Sequence, residues 1–318
     1  MLGTIIGDMI GSTREGWKTH FDGSGEITHY EKNAMDYPPD NQNYRYDEIF
    51  PEVMSFTDDS VLMIATGTAI INNESFADAY RDFFEVHSTQ NELYKGPGIG
   101  YGMMFMEWAE KPNAPAYRSY GNGSAMRAPA IGYLYETLPD VLNAALRSAE
   151  CTHNHPEGIK GAQAVAVTVW LARQGVAATD ILSFVKMSFY PEMDFDDDTL
   201  IKHYVFNPTC QGSVPQAIWL ALTSSSFEEV IVRGLKIGGD TDTICAMAGG
   251  IAEPLFGIPD HWKKTALTIL ERDGPFLAMK YEQLERRIKG VCDSAPSATS
   301  DELEKPTKKS FWRALLRL

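Results

Sequence analysis

Residues Ser60 to Ile71 read Ser-Val-Leu-Met-Ile-Ala-Thr-Gly-Thr-Ala-Ile-Ile, an alanine-containing apolar run without a charge. It is too long for an ordinary strand, so it predicts a helix buried over most of its surface. A second run, Glu157 to Arg173 (EGIKGAQAVAVTVWLAR), follows Pro156, whose fixed φ suits a first helical turn. Helical spacing continues at Ser75–Val86, Ile99–Trp108, Ser124–Tyr135, Pro139–Ala149, Thr179–Met187, Val214–Leu222, Phe227–Leu235, Thr243–Leu255, Pro259–Leu270 and Phe276–Ile288. Alternating segments bounded by Asn-Gly or Asp-Gly turns are almost absent. The pattern predicts an all-α fold, a compact orthogonal multi-helix globule. No repeat of about 30–50 residues is visible, which disfavours a helical solenoid.

Composition supports a packed domain. The 318 residues are 44% hydrophobic and include 15 Phe, 14 Tyr and 6 Trp, enough to bury a sizeable core. With 22% charged residues the chain is not mainly disordered. Lys and Arg total 28 against 43 Asp and Glu, a formal charge of −15. Such a surface repels phosphate backbones, so no stable nucleic-acid binding is expected. No stretch approaches the roughly 18 apolar residues of a membrane span. The first residues carry neither a basic leader nor a small-residue cleavage site. Cys151, Cys210, Cys245 and Cys292 are scattered, with no CxxC pair, no disulfide framework and no cysteine zinc site. A cytoplasmic location is the simplest expectation.

Two stretches depart from helical spacing. Gly16 to Pro51 is polar and rich in Asp, Asn, Tyr and Pro, and reads as a long loop that is either mobile or part of a binding rim. Residues 293–310 (DSAPSATSDELEKPTKKS) read as a flexible linker. The domain is therefore placed at 1–292, and 293–318 is assigned to this linker plus a short basic amphipathic tail, FWRALLRL at 311–318. The first reading of that tail is a terminal helix docked on the domain or a frayed end. Contact with a partner or a membrane surface is the second.

The chemical signal lies in two acidic motifs at predicted helix starts. One is Phe56-Thr57-Asp58-Asp59-Ser60; the other is Gly238-Gly239-Asp240-Thr241-Asp242-Thr243. Helix capping explains either motif alone, since Asp and Thr satisfy free N–H groups and complement the helix dipole. Capping needs only one carboxylate, however, and adjacent carboxylates repel. Two such pairs suggest a cation. All-oxygen donors fit Mg²⁺ or Mn²⁺ better than zinc, and two ions about 3.5–4 Å apart would suit a two-metal hydrolase. Spacing alone does not say whether the motifs meet.

Taken in order, these residues resemble the ADP-ribosylglycohydrolases, from about Gly3 to about Gly257. Gly7-Asp8-Met9-Ile10-Gly11-Ser12-Thr13-Arg14-Glu15 looks like the family's opening GDxxGxxxE. Thr57-Asp58-Asp59-Ser60 is similar to its TDDT/S motif, and Gly121-Asn122-Gly123-Ser124-Ala125-Met126-Arg127 to its GNGSxMR loop. Thr152-His153 falls where the family has Thr-His, and Gly239-Asp240-Thr241-Asp242-Thr243 resembles its GDTDT/S motif.

The resemblance implies an ADP-ribosyl hydrolase with two Mg²⁺ or Mn²⁺ ions. It implies metal ligation by Thr57, Asp58 and Asp59 on one side and Asp240, Asp242 and Thr243 on the other. Glu15, Asp58 and Asp240 are the implied catalytic acids, with Glu15 linked to proton transfer or ligation. Gly96, Gly98 and Gly100 in the turn Lys95–Gly100, with Gly121, Asn122, Gly123, Ser124 and His153, are implied to bind substrate. The expected substrate is an ADP-ribosylated protein. A small or nucleic-acid ADP-ribosyl conjugate is the alternative, and a non-catalytic crystallin-like binder the rival from another class.

Several neighbouring signals read as structural. Arg127 fits a phosphate clamp and a buried ion pair equally. His155 reads as a turn residue ahead of Pro156. Asp194–Asp198 imitates the start of a calcium loop, but Thr199 and Val205 stand where Gly and Glu are required, so it reads as an acidic loop. Cys210 reads as a small buried thiol.

Overall fold

The computed structural model describes residues 1–32, 48–50, 54–88 and 100–294. The first helix, α1 (Leu2–Ser12), is followed by strands β1 (Trp17–Phe21) and β2 (Ile27–Lys32). Helices α2 (Asp58–Asn72), α3 (Phe76–His87), α4 (Met103–Ala109), α5 (Gly123–Met126) and α6 (Pro129–Leu134) come next. Then follow α7 (Leu138–Glu150), α8 (Pro156–Arg173), α9 (Ala178–Ser188), α10 (Asp197–His203) and α11 (Cys210–Thr223). The last are α12 (Phe227–Ile237), α13 (Thr241–Phe256), α14 (Asp260–Asp273) and α15 (Pro275–Ser294). Among the described residues the fold is all-α with one small hairpin. No described helix is long and apolar enough to cross a membrane.

Glycines on α1 determine how closely it approaches α13. A Cβ on Gly3 would lie 2.2 Å from the Gly249 carbonyl, one on Gly7 2.0 Å from that of Cys245, and one on Gly11 2.3 Å from that of Thr241. The contacts run in opposite chain directions, so the two helices pack antiparallel, backbone against backbone. At this range only hydrogen fits. The contact carries Asp8 and Glu15 to the amino end of α13.

Helices α8 and α13 occupy the interior. Val165, Ala166, Val167 and Val169 of α8 and Ile244, Ala246, Met247 and Ala248 of α13 are fully buried. Both helices are apolar almost all round, as expected for elements enclosed by others. The capping at the start of α2 is shared. Thr57 accepts from the Asp59 N–H, while Asp8 of α1 accepts from the Thr57 and Ser60 N–H groups. The acid of one helix thus satisfies free donors at the start of another.

Five expectations need correcting. Gly16–Pro51 is not wholly loop, because residues 17–32 form an antiparallel hairpin. Its turn is stabilised by Asp22, which accepts from the Ser24 and Glu26 N–H groups, with Gly25 at φ +90°. Helix α1 lies outside the stretches where helical spacing predicts a helix, because its apolar run is short. The predicted helix Ser124–Tyr135 is two pieces, with Pro129 opening the second. The helix expected from Ile99 begins at Met103. Asp194–Asp198 is partly helical: Asp196 caps α10 by accepting from the Thr199 N–H, and Arg233 of α12 pairs with Asp197 at 2.7 Å. Helix α15 runs to Ser294, and the tail at 311–318 lies outside the described residues.

Candidate metal and active site

The two acidic motifs meet. Thr243 Oγ1, in the first turn of α13, donates to Asp59 Oδ2 of α2 at 3.3 Å. Carboxylate oxygens of Glu15, Asp240 and Asp242 lie within 4.8 Å of one another. Asp59, Asp240 and Asp242 are buried, and Asp58 and Glu15 are half-buried.

Backbone geometry sets the second motif. Gly238 and Gly239 both have φ +78°, a conformation that glycine adopts at no steric cost. A Cβ on Gly239 would also strike the Tyr204 ring at 2.7 Å. The Gly239 carbonyl accepts from the Gly16 N–H at 2.6 Å, tying the residue next to Glu15 to the start of α13. Thr241 Oγ1 donates to the Gly11 carbonyl.

Capping does not account for these carboxylates. Asp240 stands at the N-cap of α13 yet makes no side-chain capping bond. Its Oδ2 accepts instead from Asn122 Nδ2 at 2.7 Å, and Asn122 also donates to Ser213 Oγ at 3.1 Å. On α2 the cap comes from Thr57 and Asp8, which leaves Asp58 and Asp59 over. Asp59 Oδ1 is buried without a hydrogen-bond partner among the described residues.

Electrostatics point the same way. Burial, then the charge of Asp242, then that of Asp8 raise Asp58 and Asp59 well above the carboxylate range. Burial and the adjacent Asp240 do the same to Asp242. Asp240 is pushed up to about 6, chiefly by burial. Carboxylates gathered in a low-dielectric pocket without cations repel one another and hold protons. A hard divalent cation would replace those protons with attraction, and the all-oxygen donor set with a buried, unpartnered oxygen on Asp59 fits one.

Asp8 carries a role the sequence reading left unassigned. It is fully buried; its Oδ1 accepts from Thr57 Oγ1 at 2.7 Å and its Oδ2 from Ser60 Oγ at 2.5 Å, besides the two backbone donors. Burial still raises its pKa, with these bonds opposing the shift. The available signal was an acid standing among Leu2, Ile5, Ile6, Met9 and Ile10 on one buried helix.

The glycine-rich positions divide. Gly96 and Gly98 lie outside the described residues. Gly100 has φ +79°, and a Cβ there would lie 3.3 Å from Asp58 Oδ1, so its backbone runs over that carboxylate. Gly121 and Gly123 face His153: a Cβ on Gly123 would lie 3.1 Å from its Nε2, and one on Gly121 3.7 Å. The Ser124 hydroxyl turns inward and donates to the Gly158 carbonyl, and the Asn122 side chain is directed at Asp240. Arg127 is fully buried and donates to Ser148 O and Thr152 Oγ1, with no ion-pairing carboxylate among the described residues. His155 caps α8 by accepting from the Glu157 N–H. Cys210 is buried, its thiol pushed up to about 12 by burial.

The family model for ADP-ribosylglycohydrolase matches residues 1–293. The chain belongs to the ADP-ribosylglycohydrolase family. Among its relatives are ADP-ribosylhydrolase ARH3 of Bos taurus and of Homo sapiens. Each is 25% identical, over 86% of this chain and 89% of the relative. An uncharacterized protein of Archaeoglobus fulgidus is 26% identical over 91% of this chain and 96% of its own length. A solved ADP-ribosylglycohydrolase-related protein complex superposes with a TM-score of 0.60. It covers 90% of this chain and 95% of its own at 21% identity, a likeness of fold. Glycohydrolase activity is the expectation for a member of this family.

Proposed function

We propose that this ADP-ribosylglycohydrolase hydrolyses the N- or O-glycosidic bond between ADP-ribose and a modified protein side chain, with two Mg²⁺ or Mn²⁺ ions. Thr57, Asp58 and Asp59 would hold the cations from one side, and Asp240, Asp242 and Thr243 from the other. The observation that carries this reading is the contact of Thr243 with Asp59, beside a buried Asp59 oxygen without a hydrogen-bond partner among the described residues.

When bound, the cations supply positive charge at the distal ribose and lower the pKa of water there. The chain's own groups do the rest. Glu15 takes the proton of the attacking water as its oxygen bonds to the anomeric carbon; the bond to the acceptor breaks and Glu15 returns that proton to the leaving atom. Gly100, Gly121 and Gly123 let backbone approach the ligand, and Asn122 holds Asp240 in place. His153 offers its ring to the ADP-ribose. The acidic surface argues against a nucleic-acid conjugate as the main substrate.

The test is hydrolysis of ADP-ribosyl-serine and ADP-ribosyl-arginine peptides by the full chain, with and without chelator. Release of ADP-ribose from one of them, abolished by chelator and by Glu15→Gln, supports the reading. A folded, metal-loaded chain that cleaves neither peptide overturns it.

A further inference from the structure

Arg127 is a buried cation whose placement packing alone does not explain. Its Nη2 donates to the Ser148 carbonyl at 2.6 Å and to Thr152 Oγ1 at 2.8 Å, and its Cζ lies 4.1 Å from the centroid of the Tyr80 ring. Nε and Nη1 are buried without hydrogen-bond partners. Keeping an arginine in such a setting is costly. The ring face and the carbonyl near the end of α7 offset part of that cost. The remaining contact, with Thr152, leads to His153, whose Nε2 lies beside Gly121 and Gly123.

Thr152 Oγ1 lies 2.8 Å from His153 Nδ1. A guanidinium can only donate, so it takes a lone pair on that oxygen. Its positive charge turns the oxygen end of the hydroxyl dipole towards Arg127 and the hydrogen away, towards Nδ1. Tyr117, whose ring lies 5.7 Å from that of His153, holds the same turn by donating its backbone N–H to the Thr152 carbonyl at 3.2 Å. With Arg127 donating to Oγ1, the Thr152 proton goes to Nδ1 and the ring proton sits on Nε2. Nε2 is the atom beside Gly121 and Gly123.

We infer that Arg127 is a positioning residue: through Thr152 it fixes His153 as the uncharged Nε2–H tautomer, so that the ring meets bound ADP-ribose as a hydrogen-bond donor to one of its oxygens. Burial, and then the charge of Arg127, hold the His153 pKa well below the ordinary range, which accords with a neutral ring. The ligand half of the inference rests on the proposed function; the tautomer half does not.

The experiment is long-range ¹H–¹⁵N NMR of the full chain labelled at histidine, with His153 assigned through His153→Gln, on wild type, Thr152→Ser and Thr152→Val. Wild type and Thr152→Ser should show a protonated Nε2 and an unprotonated Nδ1 at neutral pH, whereas Thr152→Val should lose that preference. Affinity for free ADP-ribose with Mg²⁺ should fall about tenfold in Thr152→Val and stay within about threefold in Thr152→Ser, the size expected for one hydrogen bond to a charged group. A protonated Nδ1 or an imidazolium in wild type overturns the inference. So does an unchanged tautomer and affinity in Thr152→Val. Should Thr152→Val fail to fold, the wild-type pattern alone decides. If wild type binds no ADP-ribose, the functional reading fails while the tautomer remains measurable.

Discussion

The Thr243 hydroxyl lies 3.3 Å from Asp59 Oδ2, joining the starts of two helices 184 residues apart in the chain. The carboxylates brought together there perturb one another, and metal-free stability should show it. With folded-state pKa values above that of the unfolded chain, the folded protein keeps protons that unfolding would release. Stability therefore falls as pH climbs from the ordinary value of 3.8 through about 6, the reverse of a salt-bridged carboxylate. Mg²⁺ or Mn²⁺ should raise the melting temperature by roughly 5 °C at about pH 7.5 and by less at about pH 5, where protons compete. Thermal melts with chelator and with each ion check this; an equal rise at both pH values would contradict it.

Much of this site was legible in the chain because its acids stand at helix starts. Thr57–Ser60 and Gly238–Thr243 announce themselves by capping residues ahead of apolar runs, and both helices form there. Other features depended on tertiary contact. The Asn122 amide could have faced a ligand; that it holds Asp240 is decided by where α5 packs. Asp8 looked like one letter of a motif, because the donors that need it come from α2. The hairpin was missed because its strands are short and polar, and Asp22-Gly23 sits in a stretch read as loop.

Asp8→Ala should leave the Thr57 and Ser60 N–H groups and hydroxyls without their buried acceptor. A loss of about 3 kcal/mol or more is expected, since stranded buried donors cost more than a bond contributes. Urea denaturation measures it; a loss under about 1 kcal/mol would show that water replaces the carboxylate.

Asn122→Ala should free Asp240 without unfolding the chain. Outer-shell partners of this kind affect metal affinity or turnover by about 10–100-fold, so activity should fall in that range with unchanged circular dichroism. Full activity would mean that Asp240 is held from elsewhere.

Gly7→Ala places a methyl 2.0 Å from the Cys245 carbonyl, where only separation of α1 from α13 relieves the clash. It should destabilise by about 4 kcal/mol or more, as large overpacking effects do. Gly102→Ala meets nothing within 4 Å and should stay within about 0.5 kcal/mol of wild type. Paired denaturation curves compare them.

Calorimetric titration of Mn²⁺ into the metal-free full chain asks most directly whether two remote acidic motifs make one centre, using wild type, Asp59→Asn and Asp242→Asn. Wild type should take up two ions, and each substitution, on opposite helices, should weaken uptake at least about tenfold. Mn²⁺ binding that survives either change undiminished, or no uptake by wild type, would contradict the shared centre.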